Sequence, residues 1–277
     1  MDKGPLVSVV ITTKNEEDAI GRLIRSIKTQ TFKNKEIILV DNNSTDKTLD
    51  VARKMNVKVY TVGPERSTQR NFGAKVAKGK YLLILDADME LTPELVSECV
   101  ELAESDKKIG EIVIPEQSLA SNYWGKVKAF ERSFYNEKGD ELTDAARLFR
   151  REVFFKAGGY DETITGPEDW DLPDTIREMG YKVGRIKSEI HHYERIDSLF
   201  SVASKKFYYA LHAYKYLGKH NIPMFGPKTV YFLRPVFYKN PKKIIMHPIL
   251  SIGMFIMLSA ELIGGGLGYF IGRIRKL

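Results

Sequence analysis

Tyr81-Leu82-Leu83-Ile84-Leu85-Asp86-Ala87-Asp88 decides the fold. Its unbroken apolar run is the pattern of a strand covered on both faces, as in a parallel sheet. The two carboxylates that follow can both turn toward a divalent ion. Hard oxygen ligands suit Mg²⁺ or Mn²⁺, and such an ion can grip a diphosphate. An Asp-x-Asp triplet alone is weak, since one is expected by chance about once in a chain of this size. A second one stands at Asp169-Trp170-Asp171. Position separates the two, because Asp86 ends a buried strand.

Working outward, residues 6–12 form a similar Val/Ile-rich run, and helical spacing follows over 19–27 through Ile20, Leu23, Ile24 and Ile27. A strand at 36–40, a helix at 47–55 capped by Asp46, a strand at 57–62 and a helix at 67–77 complete the approach to Tyr81. Beyond it, Thr92 caps a helix with Pro93 in its first position. The alternation predicts an α/β fold with a mainly parallel sheet and right-handed crossovers. Ligands in such sheets bind beyond the carboxyl ends of the strands, here residues 12–16, 41–46, 63–71 and 86–90.

After Glu98 the pattern loosens. Short strands are expected at 112–115, 146–149 and 185–190, helices at 125–135 and 170–180, and a tight turn at Gly158-Gly159. An aromatic and basic helix is expected over 199–216, and an apolar tail from about Ile244. The expected division is a catalytic domain at 1–198, with a nucleotide half (1–98) and an acceptor half (99–198), then an amphipathic region at 199–243 and a tail at 244–277 that associates with membrane or with another copy.

The chain's 277 residues suffice for one large α/β domain and an appendage. With 43% hydrophobic and 29% charged residues it is not disordered. Net charge is +7, which fits an anionic membrane or a phosphorylated substrate; no nucleic-acid-binding signature is present. The single cysteine, Cys99, excludes an intrachain disulfide and fits a reducing compartment. No signal peptide is read before the first strand, so a cytoplasmic catalytic part is expected.

Several side chains at the strand ends can carry chemistry. Asp41 can accept from a base N–H or a ribose hydroxyl. Arg66 and Arg70 lie where a loop enters a helix, a setting suited to phosphates, although both also fit an ordinary surface. In Glu168-Asp169-Trp170-Asp171 a carboxylate can take a proton from a hydroxyl or merely cap a helix. His191 or His192 can ligate a metal or serve structure.

Together these segments resemble family-2 glycosyltransferases of the GT-A fold, from Val7 to about Tyr209. The landmarks are Val7-Ser8-Val9-Val10-Ile11 with Asn15-Glu16; Val40-Asp41-Asn42-Asn43-Ser44-Thr45-Asp46; Gln69-Arg70-Asn71-Phe72-Gly73-Ala74; Asp86-Ala87-Asp88; Gly158-Gly159-Tyr160-Asp161-Glu162; and Glu168-Asp169-Trp170-Asp171-Leu172. Thr12 and Lys14 depart from the proline and tyrosine common there. The resemblance implies a metal-dependent, inverting transfer of sugar from a nucleoside diphosphate, a UDP-sugar first, to a hydroxyl of a lipid-linked or glycan acceptor. It places Thr12, Glu16, Asp41, Arg70, Asp86 and Asp88 on the donor, Asp88 and His192 on Mg²⁺ or Mn²⁺, Asp169 as base, and Glu168 and Trp170 on the acceptor side.

The sister reading is a polyprenyl-phosphate sugar synthase, and a rival from another class is a catalytically silent binding protein. The tail, 244–271, is long enough to cross a bilayer. Pro248 and Gly264-Gly265-Gly266 are expected to interrupt it, and Glu261 would cost about 3 kcal/mol at mid-bilayer. Both flanks are basic, which favours a re-entrant or in-plane arrangement on the cytoplasmic face of the membrane over a single span. A homo-oligomer is also compatible.

Overall fold

The computed structural model describes residues 4–136, 139–140 and 144–276. Met1, Asp2 and Lys3, where no signal peptide was read, lie outside the described residues, as does Leu277 at the end of the expected tail. In chain order, β1 (Val7–Thr13), α1 (Ile20–Lys28), β2 (Lys35–Asp41), α2 (Thr48–Lys54), β3 (Lys58–Thr61), α3 (Arg66–Val76) and β4 (Tyr81–Asp86) alternate. They are followed by β5 (Met89–Leu91), α4 (Leu95–Ser105), β6 (Ile109–Val113), β7 (Glu116–Leu119), α5 (Tyr123–Arg132), β8 (Ala146–Arg150), α6 (Arg151–Lys156), α7 (Glu168–Glu178), β9 (Lys182–Arg185) and β10 (Ile190–Tyr193). The chain continues through α8 (Leu199–Ala210), α9 (Ala213–Lys219), α10 (Pro235–Tyr238), α11 (Pro241–Met246) and α12 (Pro248–Arg275).

A seven-stranded sheet runs in the order β3-β2-β1-β4-β8-β6-β9. The first four strands are parallel, as the alternation predicts; β8 is antiparallel to both its neighbours. β1 is buried along its whole length because both faces of the sheet are covered. Val9, Ile11, Leu83 and Leu85 pack toward α1 and α4 on one face. Val10, Val40, Leu82 and Ile84 meet Ala74, Phe154, Leu172 and Ile176 on the other. Register matters most for function. Thr12 lies opposite Asp86, and Thr13 opposite Asp41, so three strand ends finish level.

The second half shows where periodicity runs out. β5, β7 and β9 have three or four residues each, too few to establish an alternation. The segment 185–190, expected as one strand, is the connection between two: β9 ends at Arg185, β10 starts at Ile190, and 186–189 form a loop. The single helix expected at 199–216 breaks into α8 and α9.

The residues group into two compact units that interleave along the chain. One comprises Met1–Pro115, Ala145–Glu162 and Asp171–His192, and holds the seven-stranded sheet. The other comprises Glu116–Asp144, Thr163–Trp170 and Tyr193–Leu277. Its core joins Val127 and Phe130 of α5 to Met254, Met257 and Leu258 of α12.

Within the second unit, α12 is one continuous helix, which corrects the expected interruptions. Pro248 sits in its first turn, where no backbone N–H is needed. Gly264, Gly268 and Gly272 line one stripe against α8. A Cβ at any of the three would overlap the carbonyl oxygen of Ala203, Phe207 or Leu211, so the glycines permit the close approach of two backbones. Glu261 faces inward, with Lys128 Nζ 3.0 Å from its carboxylate. Lys128 also lies 2.9 Å from Glu131.

Two predictions test this packing. Gly268→Val should destabilise the protein by about 2 kcal/mol or more, because the helices must separate to admit the side chain; urea unfolding followed by circular dichroism measures it. The second concerns Glu111, fully buried on β6, with Arg177 Nε 3.4 Å from one oxygen. Burial outweighs the attraction of Arg177 and pushes the Glu111 carboxyl up to about 8 from an ordinary 4.5. The folded chain therefore keeps a proton that the unfolded chain releases between those values, and stability is lost as pH rises through that window. Glu111→Gln should flatten the fall in melting temperature between pH 5 and pH 8 relative to the parent.

Candidate functional site

The level ends of β1, β2 and β4 carry Thr12, Asp41 and Asp86, three of the side chains that the sequence singles out. Asp86 closes β4. Arg70 reaches it from α3, with Nη2 donating to Oδ1 at 3.1 Å. Arg147 reaches it from β8, with Nη1 3.4 Å from Oδ2. Thr12 Oγ1 donates to Oδ1 at 3.1 Å. Burial opposes the charge on Asp86, but Arg70, then Arg147 and Arg66, hold its carboxyl well below the usual range. Arg70 is fully buried, and its guanidinium lies over the Tyr160 ring at 5.0 Å.

Asp88 turns elsewhere. Its Oδ2 lies 3.2 Å from His192 Nε2, across the antiparallel β5–β10 pair. The two carboxylates of Asp86-Ala87-Asp88 thus have different side-chain partners within the chain. Among the described residues, no group of three or more His, Cys, Asp or Glu side chains converges on one point. The convergent pair Asp88 and His192 offers one hard oxygen and one imidazole nitrogen. That set fits Mg²⁺ or Mn²⁺ held jointly with substrate phosphates, because such ions take few protein ligands. His191, by contrast, lies 3.9 Å from Glu189.

Asp41 is buried, and its carboxylate accepts from Ser44 N at 2.8 Å and from Ser44 Oγ. A turn role that the sequence gave to Asp46 alone therefore extends to Asp41. Asp46 accepts from Thr48 N at 3.0 Å and from Glu17 N at 3.1 Å. Asn15, in the left-handed region at φ 54°, accepts from Thr45 N at 2.8 Å, and Glu16 N donates to Thr48 Oγ1 at 2.7 Å. These bonds lace the loops after β1 and β2 together.

α3 organises the rest of this unit's site. Gln69 Nε2 donates to the carbonyls of Thr13 and Val40, tying two strand ends. Asn71 exchanges bonds with Tyr160 N and O at 2.9 and 2.8 Å and donates to Glu162 at 2.9 Å. Gly159 has φ +72°, and a Cβ there would lie 2.8 Å from Asn71 Oδ1. The landmark Gly158-Gly159-Tyr160-Asp161-Glu162 is thus a strap bound to α3.

Glu168, Asp169 and Trp170 form the first turn of α7. Glu168 is buried, Asp169 and Trp170 are half-buried, and the Trp170 ring lies 6.5 Å from that of Tyr216. The helix starts earlier than residue 170. Asp171 is therefore a buried residue inside it and not its cap, and Pro173 lies in the helix interior. Arg147 escaped the sequence reading. Its signal was a second arginine, beside Arg150, on a short strand otherwise apolar; β8 is buried throughout, which forces such a cation onto a carboxylate.

Known proteins resemble this chain in sequence and in fold. The profile of glycosyl transferase family 2 matches residues 8–156. A UDP-Glc:α-D-GlcNAc-diphosphoundecaprenol β-1,3-glucosyltransferase of Escherichia coli is 34% identical over 109 residues, which is 37% of this chain and 43% of that protein. The match thus spans less than half the length of that relative. An uncharacterised glycosyltransferase of Methanocaldococcus jannaschii is 27% identical over 263 residues, 86% and 87% of the two chains. Among solved structures, a mannosyltransferase of Pyrobaculum calidifontis in complex with GDP-Man and Mn²⁺ superposes with a TM-score of 0.60 at 18% identity, covering 93% of this chain and 75% of that one. That likeness speaks for the fold, and the family profile covers more than half of the chain. The chain belongs to glycosyl transferase family 2, with the GT-A fold.

Proposed function

We propose that this glycosyltransferase moves one sugar, with inversion, from a nucleoside diphosphate to a hydroxyl of a lipid-linked or glycan acceptor. The observation that carries the reading is the arrangement at the end of β4, where Asp86 lies between Arg70 and Arg147 and Asp88 is paired with His192. Arg70 and Arg147 supply positive charge where a diphosphate would lie. Thr12, Glu16 and Asp41 line the strand ends expected to hold the nucleoside, and Asp86 accepts from the ribose side. A uridine donor is favoured, in keeping with the UDP-glucose named for the E. coli relative.

Asp88 and His192 would hold Mg²⁺ or Mn²⁺. Bound there, the ion supplies neutralisation of the charge that builds on the leaving diphosphate. Asp169 accepts the proton of the acceptor hydroxyl, whose oxygen bonds to the anomeric carbon as the bond to the diphosphate breaks; the nucleoside diphosphate leaves with that electron pair. The first turn of α7 favours an ionised Asp169, because the helix dipole is positive there. Glu168 and Trp170 orient the acceptor. The acceptor is held at the cytoplasmic face of a membrane, a reading supported by the apolar α12 and by the undecaprenol acceptor in the name of the E. coli relative.

Asp88→Asn and His192→Ala should each weaken Mn²⁺-dependent transfer by orders of magnitude, and chelation with EDTA should stop the parent enzyme until metal is restored. Full activity of Asp88→Asn in chelator would remove the metal assignment. Asp169→Asn should lower kcat about 10²-fold or more while donor affinity stays near that of the parent. Normal turnover by that variant on the true acceptor would instead favour a phosphate acceptor, already ionised and in no need of a base.

A further inference from the structure

We propose that the bare face of α12 docks on an anionic lipid bilayer, with the helix lying in the plane of the membrane. The proposal deepens, and rests on, the reading that the acceptor is membrane-held.

α12 has two unlike faces. Ile249, Ile252, Ile256, Ile263, Leu267 and Ile274 recur at spacings of three, four and seven, which places them on one side of the helix. They are strongly exposed: Ile249 by 71%, Ile263 by 64% and Ile274 by 78%. Contiguous exposed apolar surface of this kind marks a site of contact. The opposite side is filled. Tyr123 and Val127 of α5 cover Gly253, Glu261 pairs with Lys128, and α8 lies along the three glycines.

That filled side argues against a span. The helix is about 42 Å long at 1.5 Å per residue, enough to cross a bilayer. Crossing would carry Lys128, Glu131 and Lys206 into hydrocarbon along with it. It would also put Arg273, Arg275 and Lys276 on the far side from Lys239 and Lys242. Lying in the plane, the helix immerses only its apolar face and leaves both basic ends at the headgroups.

Charge identifies the surface. Residues 199–277 carry twelve Lys and Arg but a single acidic residue, Glu261, whereas residues 1–198 carry 31 basic and 35 acidic residues. Glu261 is buried against Lys128, so it screens nothing outside. Lys239, Lys242, Arg273, Arg275 and Lys276 are all exposed at the two ends of the apolar stripe. A second copy would bring like charges together at both ends, while anionic headgroups complement them.

The test is flotation of the full-length protein, diluted from detergent, with vesicles of phosphatidylcholine alone or with about one-third phosphatidylglycerol. The protein should float with the anionic vesicles, and added salt should weaken the association. Ile256→Glu with Leu267→Glu, both at exposed positions, should reduce binding about ten-fold or more. Arg273→Gln with Arg275→Gln should reduce it for anionic vesicles only. Cys99 is buried, so an Arg275→Cys variant gives a reporting thiol. It should react with an impermeant reagent added outside intact vesicles.

Labelling only after permeabilisation would establish a span and overturn the proposal. Flotation unchanged by either double substitution would do the same, as would a dimer dissolved by the glutamate pair in a protein that never floats. Hydrolysis of the donor reads the catalytic unit separately. Parental hydrolysis with lost flotation supports the docking surface, and flotation without hydrolysis would leave the surface standing while the catalytic reading fell.

Discussion

A carboxylate at the end of a buried strand must meet cations or give up its charge, and Asp86 meets Arg70 and Arg147. This contact joins β4, α3 and β8 at one point, and Thr12 brings in β1. The contact offsets part of the cost of burying the Arg70 guanidinium, which amounts to several kcal/mol for an ion taken out of water. The same helix that delivers Arg70 also delivers Gln69 to the ends of β1 and β2, and Asn71 to the strap after Gly159. One turn of α3 therefore sets the floor of the site. Removing Asp86 would take from two buried arginines a carboxylate that both contact, so its loss should disturb the fold as well as any ligand.

The level register of β1, β2 and β4 explains why residues scattered over some seventy-five positions share one edge. Parallel strands entered from the same side end on the same side, and the crossover helices return the chain beneath them. Chemistry can then be assembled from loops without altering the core. The second unit follows another logic. Its long helix is pinned by a glycine stripe and a buried ion pair on one side, which leaves the other side apolar, exposed and bordered by cations.

Much of the donor-side frame was legible in the sequence. Runs such as Val7-Ser8-Val9-Val10-Ile11 and Tyr81-Leu82-Leu83-Ile84-Leu85 admit few structures, and each is followed by polar residues at a predictable edge. What was not legible depended on contacts between distant segments. Arg147 lies 61 positions from Asp86, and nothing local reveals that they meet. The helix expected from residue 170 begins at Glu168 and carries Pro173 inside, which the local sequence does not reveal. The glycines of α12 read as breakers because their reason, the backbone of α8, lies elsewhere in the chain. The tail's Glu261 reads in the sequence as a lone charge costly at mid-bilayer, because its partner Lys128 is 133 positions away.

A diphosphate site at the end of β4, assisted by a metal on Asp88 and His192, requires that the ion and the nucleotide bind together. Calorimetric titration of chelator-treated protein with UDP, with and without Mn²⁺, tests it most directly. The account predicts binding that Mn²⁺ strengthens by about ten-fold or more, and that Arg147→Gln weakens at every metal concentration. Equal affinity with and without the ion, or binding untouched by the loss of Arg147, would contradict it.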